Sequence, residues 1–404
     1  MALHDGQFTA ASLLNALALP DKLIPRLPIG GWQAFAGAAQ AQLPCILDAP
    51  HLVFTTSGRA AIAHALRLLG VGDGDSVLAP TYHCPTMIAP ITGLGARPVF
   101  YPVSDTGFAD LDYLKALATA NRPRAIIAAH YFGFPQPMAA LRKWCDQTGI
   151  ALIEDCAHCL FGTSDGRTVG QWGDYAIASL TKFLPLPEGG CLVVNRPSSP
   201  ALQLQPRGLS DELRAALDVL ESGVTHRRLF GLNTLMGTML ALKRQLRATP
   251  PSQVRAVRDG TEDVEYASID YRQAGRALTR VGTCLARRLP RARIVAARRA
   301  NYMHLGAAFA DRADIRPLLP VLADQAAPYV FPLWVNQPDP AYERLRASGI
   351  PVFRWNWLWP DTPRITGDDG MAWSHHVFQL PCHQDLAPED LEKIIDSVKA
   401  IAPN

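Results

Sequence analysis

Between Leu52 and Val194, short apolar runs of strand length alternate with longer helical ones. "HLVFTT" precedes "GRAAIAHALRLLG", "DSVLAP" precedes "CPTMIAPITGLG", "RPVFYPV" precedes "LDYLKALAT", "RAIIAAH" precedes "MAALRKWCDQTG", and "ALIED" follows. Strands this short and this continuously apolar are buried on both faces. The alternation therefore predicts an α/β fold, a mostly parallel sheet covered by crossover helices. Ligands of such sheets sit beyond the carboxyl ends of the strands, so the chemistry is to be sought just after each strand.

A chain of 404 residues, 48% hydrophobic, is long enough for a large domain and a smaller one. We expect an N-terminal arm over 1–45, a large ligand-binding domain over 46–290 and a small C-terminal α+β domain over 291–404. After Pro197 the pattern turns polar and helix-prone up to about residue 265, and we expect a helical insertion or lid over 197–265. Within it, "LFGLNTLMGTMLAL" (229–242) is the most apolar run. It is shorter than the roughly 18 residues a spanning helix needs, and we read it as a buried or capping helix in preference to a membrane-surface contact. The net charge of +3 comes mostly from arginines mixed with acids, which argues against nucleic acid as a partner. The N-terminus has no basic run ahead of Asp5, as a secretory signal would require. The 8 cysteines have no framework spacing, so free thiols in a reducing cytoplasm are expected. Cys156 and Cys159 lack the second half of a zinc site, and no metal is expected.

Four strand ends carry polar groups that an α/β core does not need. Ser57 and Gly58 in "TTSGRAA" open a helix, which makes either an anion cup or an ordinary N-cap. Asp155 in "ALIEDCAH" follows an apolar strand directly; buried there, it needs a cation, either a ring nitrogen or a structural arginine. His158 either bonds a ring substituent or is a satisfied core histidine. Lys182 stands between apolar runs near Gly189 and Gly190, as a desolvated amine suited to an aldehyde or as a surface lysine. Tyr82 or His83 in "APTYHCPT" can stack on a planar ring or simply shape a turn. Phosphate cup, ring stacker, carboxylate and amine, in that order on a parallel sheet, are what pyridoxal phosphate (PLP) asks of a protein.

Longer stretches carry a resemblance. "ALIEDCAHCLFGTSDGRTVGQWGDYAIASLTK", the following Glu188-Gly189-Gly190, "AAHYFGFPQPM" and "LPCHQDLAPEDLEKII" together resemble signatures of the DegT/StrS-type sugar-nucleotide aminotransferases, a branch of the fold-type I PLP enzymes. The resemblance implies that Lys182 is the Schiff-base lysine and proton carrier, that Asp155 pairs with the pyridine nitrogen and that His158 lies beside the ring. It places Gly58 and Arg59 at the phosphate through their backbone amides, with Ser179 as a hydroxyl donor. It also implies a homodimer with shared sites, an amino acid donor such as glutamate, and a nucleotide-linked keto-sugar or other small carbonyl compound as acceptor.

The chain departs from that pattern in places. Cys84 falls where the family has its stacking aromatic, leaving Tyr82 or His83 as substitutes. Asp270 in "ASIDYRQ" stands where an Asn often reaches a neighbouring subunit's phosphate, so either Arg272 compensates for its charge or the contact is absent. In "PVFRWNWLWP", Arg354 can clamp a substrate carboxylate and Trp355 can floor a pocket; a tryptophan-rich core edge is the plain alternative. The rival activity is a PLP enzyme that does not transaminate, a dehydratase or a condensing enzyme.

Overall fold

The computed structural model describes residues 23–35, 44–234, 236–237, 268–324 and 326–401. The rest of the expected arm, residues 235 and 238–265 of the expected insertion, which include most of the second half of the apolar run 229–242, and residues 266–267 lie outside the described residues.

The strand–helix alternation becomes β1 (Leu52–Thr55), α1 (Gly58–Leu68), β2 (Ser76–Pro80), α2 (Pro85–Thr92), β3 (Arg97–Tyr101), α3 (Leu111–Asn121), β4 (Ala125–Ala129), α4 (Ala139–Thr148) and β5 (Ala151–Asp155). A small hairpin then leads to β6 (Tyr175–Ser179) and β7 (Gly190–Val194). These strands form a seven-stranded sheet in the order β1-β7-β6-β5-β4-β2-β3. The pairs from β6 through β5, β4 and β2 to β3 are parallel. β7 runs antiparallel to both its neighbours, β1 and β6. β2, β4 and β5 are buried along their whole length, as the apolar runs require.

Helix α1 is built from small residues, with Ala60, Ala61, Ala63 and Ala65 all buried, and packs against β7 and α2. α5 (Leu209–Thr225) begins the expected insertion and is tied back to the large sheet's side of the molecule. Arg207 holds Glu188 at 2.6 Å, Asp211 pairs with Arg276, and Glu212 accepts the first N–H groups of α6 (Arg280–Arg288). Its outer face leaves Leu209, Leu213 and Leu217 exposed, four residues apart on one stripe.

The C-terminal part holds α7 (Arg291–Ala308), β8 (Ile315–Pro317), β9 (Val330–Val335), α8 (Pro338–Ala347), α9 (Gly370–His376), β10 (Val377–Pro381) and α10 (Pro388–Ile401). β8, β9 and β10 make a three-stranded antiparallel sheet. The passage between the two hydrophobic cores falls inside α7. Ile294 and Val295 belong to the large core, while Tyr302, Leu305 and Phe309 belong to the small one. Among the described residues no helix is long and apolar enough to cross a membrane.

Candidate active site

A cavity of about 620 Å³ opens at the carboxyl ends of the parallel strands, where the large sheet meets the C-terminal part. Ser57, Gly58, Arg59, Asp155, His158, Ser179, Lys182, Arg354 and Trp355 all line it. Of the residues expected to touch a ligand's ring, Tyr82 and His83 do not. Tyr82 is fully buried behind the wall, with its ring 4.9 Å from Trp355 and its hydroxyl accepting from Gln379. His83 donates from Nδ1 to the Pro80 carbonyl at 2.9 Å and accepts the Trp359 N–H at Nε2, also 2.9 Å. Burial pulls its pKa down to about 4. The expectation that either ring stacks on a ligand is therefore corrected: both are spent on packing, and Cys84 is the member of that turn that faces the cavity.

One wall is the N-terminus of α1. Ser57 is its N-cap, its hydroxyl accepting the Ala60 N–H at 3.1 Å. The N–H groups of a first helical turn have no partner within the helix, which makes this end an anion-binding element. The Gly-Gly pair after Lys182 explains how the wall closes. A Cβ on Gly190 would sit 2.3 Å from the Ser57 carbonyl carbon and 2.5 Å from the Gly58 nitrogen, so only glycine lets β7 pass this close to the helix start. Gly189 precedes it at φ +150°, in the region that favours glycine.

Asp155 ends β5. Its Oδ1 accepts the Ala157 N–H at 2.8 Å, while Oδ2 makes no hydrogen bond among the described residues. Burial lifts its pKa above the usual carboxylate value, against the opposing pull of the Ala157 N–H, Lys182 and His130. Lys182 sits on the short turn after β6, with its Nζ 5.1 Å from the centroid of the Tyr329 ring. Burial lowers its pKa; Cys84 and Asp155 oppose the shift and Arg26 adds to it. His158 lies between two rings, 4.6 Å from Tyr329 and 5.0 Å from Trp355. Its Nδ1 accepts the Phe132 N–H at 3.4 Å, which puts the ring proton on Nε2. Burial first, and Lys182 second, hold this histidine well below its usual pKa and therefore neutral.

Two supporting groups escaped the sequence reading. Arg298, fully buried on α7, donates to the carbonyls of Pro328 at 2.8 Å, Tyr329 at 3.1 Å and Lys182 at 2.8 Å, and to Gln384 Oε1 at 2.8 Å. In the sequence it is one arginine of an Arg-Arg pair on a helix, with no local sign of burial. Glu154, the neighbour of Asp155, accepts from the N–H groups of Gly170, Trp172 and Gly173 and from His130. His130, Glu154 and Cys156 are close enough together to hold a metal ion, but these bonds, together with the Gln136 N–H on His130 Nδ1, already engage the carboxylate and the second imidazole nitrogen. Their role is to hold the loop after β5. Cys156 and Cys159 are free thiols, as are the other cysteines.

The "LPCHQDL" segment acquires a role as well. His383 donates from Nε2 to the Pro25 carbonyl at 2.9 Å, and Asp385 accepts the Ile29 N–H at 3.3 Å. Together they fasten the segment that brings Arg26 to the cavity. Asp270 caps its own turn through the N–H groups of Arg272 and Gln273.

A helix N-terminus, a buried carboxylate and an amine whose pKa burial lowers thus line one cavity at the carboxyl ends of the sheet. The DegT/DnrJ/EryC1/StrS aminotransferase family model matches residues 40–242, half of the chain, and the chain belongs to that family. Among curated proteins it is 29% identical over 240 residues to the dTDP-3-amino-3,4,6-trideoxy-alpha-D-glucose transaminase of Micromonospora megalomicea subsp. nigra, covering 54% of this chain and 64% of that protein. It is 32% identical over 174 residues to the UDP-N-acetyl-3-dehydro-alpha-D-glucosamine 3-aminotransferase of Acidithiobacillus ferrooxidans, covering 43% of this chain and 47% of that one. Each match spans less than two thirds of the relative's length. Among solved structures, the protein Spr1654 of Streptococcus pneumoniae in its PLP-form superposes with a TM-score of 0.60 at 19% identity, over 94% of this chain and 98% of that one. At that identity the likeness speaks for the fold, which is the expected PLP-transferase α/β architecture.

Proposed function

We propose that the protein is a PLP-dependent aminotransferase that moves an amino group from an amino acid, glutamate first among candidates, to the ketone of a nucleotide-linked sugar or a related small carbonyl compound. One observation carries this reading. Lys182 Nζ, Asp155 Oδ2 and His158 Nε2 have no hydrogen-bond partner among the described residues, and all three residues line the cavity beside the α1 N-terminus. Polar atoms that face a cavity without a protein partner are open to a bound molecule.

The residues fit the cofactor. The Gly58 and Arg59 amides, with Ser57 and Ser179, would hold its phosphate. Asp155 would pair with its ring nitrogen, Lys182 would bond its aldehyde, and neutral His158 would donate from Nε2 to a ring substituent. When bound, the cofactor supplies an electron sink for charge developing at the donor's Cα. The low-dielectric setting of Asp155 makes a positive charge opposite it strongly favoured. Lys182, with its depressed pKa, is suited to take a proton from the donor's Cα and return one to the product. Tyr329 and Trp355 pack against His158, with ring centroids 4.6 and 5.0 Å away, and line the same cavity.

The two relatives named above are both named for amination of nucleotide-linked sugars, which supports that class of acceptor. We further propose a homodimer. Leu209, Leu213 and Leu217, at 75, 58 and 52% exposure on one face of α5, form an apolar stripe suited to a second copy. Light scattering during gel filtration tests this, with a monomeric mass as the contrary result. The free thiols fit a cytoplasmic setting.

The visible spectrum of the purified protein with added PLP, before and after glutamate, tests the activity. A band that forms in the wild type, is missing in Lys182→Ala and is bleached by glutamate is the expected result. A band indifferent to every amino acid donor would instead favour the non-transaminating alternative.

A further inference from the structure

Lys182 Nζ makes no hydrogen bond among the described residues, and it lies over the face of the Tyr329 ring, 5.1 Å from the centroid. The face of an aromatic ring is negative and attracts an ammonium group at this range, the more so away from water. Tyr329 is only 8% exposed and lines the cavity with Lys182.

The chain holds the ring in place through its backbone. The Tyr329 N–H donates to the Phe132 carbonyl at 2.8 Å, and the Tyr329 carbonyl accepts from Arg298 Nη1 at 3.1 Å. Gly133, at φ +98°, lets the loop after β4 come this close, since a Cβ there would stand 2.7 Å from Pro328 Cα and 2.9 Å from the Tyr329 nitrogen. Arg298 also takes the Lys182 carbonyl through Nη2 at 2.8 Å. One buried guanidinium therefore fixes the ring and the amine's turn in a common frame. His158 and Phe183 pack against the same ring, at 4.6 and 6.1 Å.

Burial lowers the amine's pKa and Arg26 adds to that, while Cys84 and Asp155 pull the other way. His158 is held neutral by burial and by Lys182 itself, and burial keeps the Tyr329 hydroxyl protonated. Arg298, the cation at the turn's backbone, spends its nitrogens on four protein oxygens. Asp155 is committed to the cofactor's ring nitrogen in the reading above, which leaves the Tyr329 face as a partner for the ammonium form. An aromatic face neither gives nor takes a proton, so it steadies that charge without competing for it.

We propose that Tyr329 is the positioning residue of Lys182, its ring face holding the free amine in place and favouring its protonated form. A proton carrier needs both forms within reach, and burial alone would favour only the neutral one. The inference rests on the aminotransferase reading for what the amine does, but not for the contact itself.

The test changes the charge distribution of the ring and leaves its shape. Tyr329→Phe removes the hydroxyl and keeps the face; phenylalanines with one, two or three ring fluorines at the same position weaken the face step by step. In the full-length apoprotein, the rate at which acetic anhydride acylates Lys182, mapped by peptide mass, follows the unprotonated amine and so gives a pH midpoint for it. Tyr329→Phe should leave that midpoint nearly where the wild type has it. The fluorinated series should bring it down in steps, by roughly half a pH unit or more in all. Tyr329→Leu, checked for folding by circular dichroism, should do the same, and in the glutamate reaction should lower kcat with little change in KM. A midpoint that stays flat across the fluorinated series overturns the proposal, and so does Tyr329→Phe moving it as far as Tyr329→Leu, which would assign the effect to the hydroxyl. PLP added to the same apoproteins separates the two readings: no cofactor band in the wild type speaks against the aminotransferase, whereas a band with a flat series speaks against Tyr329 alone.

Discussion

Arg298 donates from Nη2 to the backbone carbonyl of Lys182 at 2.8 Å, across 116 residues of sequence. Through Nη1 and Nε the same guanidinium grips the carbonyls of Pro328 and Tyr329 and the side chain of Gln384. The turn that presents the amine is thus bolted to Pro328 and Tyr329, the residues that lead into β9, and hence to the C-terminal sheet. Burial pulls the arginine's pKa down to about 10, still far above neutrality, so it remains charged and depends on these oxygens.

Arg298→Met should therefore destabilise the protein by about 3–5 kcal/mol, because it strands several buried acceptors at once. Arg298→Lys should recover little of it, since one ammonium cannot span the fork. Urea unfolding monitored by fluorescence measures both. A loss below about 1 kcal/mol for the Met variant would contradict the bolted arrangement.

Gly190→Ala places a methyl group where the Ser57 carbonyl carbon and the Gly58 amide already are. The α1 N-terminus must move, and PLP affinity should fall by about tenfold or more, because the phosphate site depends on the position of those amides. Fluorescence titration of the apoprotein with PLP is the measurement, with circular dichroism as the control for folding. An unchanged dissociation constant would show that the phosphate binds elsewhere.

Asp155→Asn keeps the shape and the Ala157 contact but removes the charge that faces the proposed ring nitrogen. Turnover should drop by about a hundredfold or more, the scale on which a preorganised electrostatic partner acts. The cofactor band should persist, because Lys182 is untouched. Full activity in Asp155→Asn would mean that the ring nitrogen has another partner.

Several histidines are buried in the neutral form. Burial sets His83 at about 4 and His383 at about 3, and His158 also lies well below the usual value. Their folded-state pKa values are below the unfolded one, near 6.5. As the pH drops through that value the unfolded chain takes up protons that the folded chain refuses, so stability is greatest above about pH 7 and declines on acidification. His83 and His383 each contribute roughly 2 kcal/mol of destabilisation by pH 5. Asp155 and Asp385, whose pKa values burial raises, act in the opposite sense and soften the decline. Urea midpoints measured between about pH 7.5 and pH 5.5 should fall steadily; a flat profile would contradict the neutral assignment.

The order of strands and helices, the position of Asp155 and Lys182 at strand ends, and the helix opening at Ser57-Gly58 were all legible in the sequence. They depend on local pattern: apolar runs of strand length, a helix period, glycines next to polar residues. The binding turn after β2 was misread because "TYHCPT" offers two rings and one thiol with no local sign of which way each points. Packing decided it. Tyr82 packs against Trp355 and His83 against Phe100, both fully buried, and Cys84 is left facing the cavity. Arg298 was likewise beyond sequence reasoning, since an arginine on a helix looks the same whether it meets water or four buried oxygens. The sequence by itself determined the class of fold and the chain order of the polar groups at its strand ends. Only the tertiary structure decided which of those groups have unpaired atoms in a common cavity, because that depends on contacts between segments more than a hundred residues apart, such as Lys182 with Arg298 and Pro25 with His383.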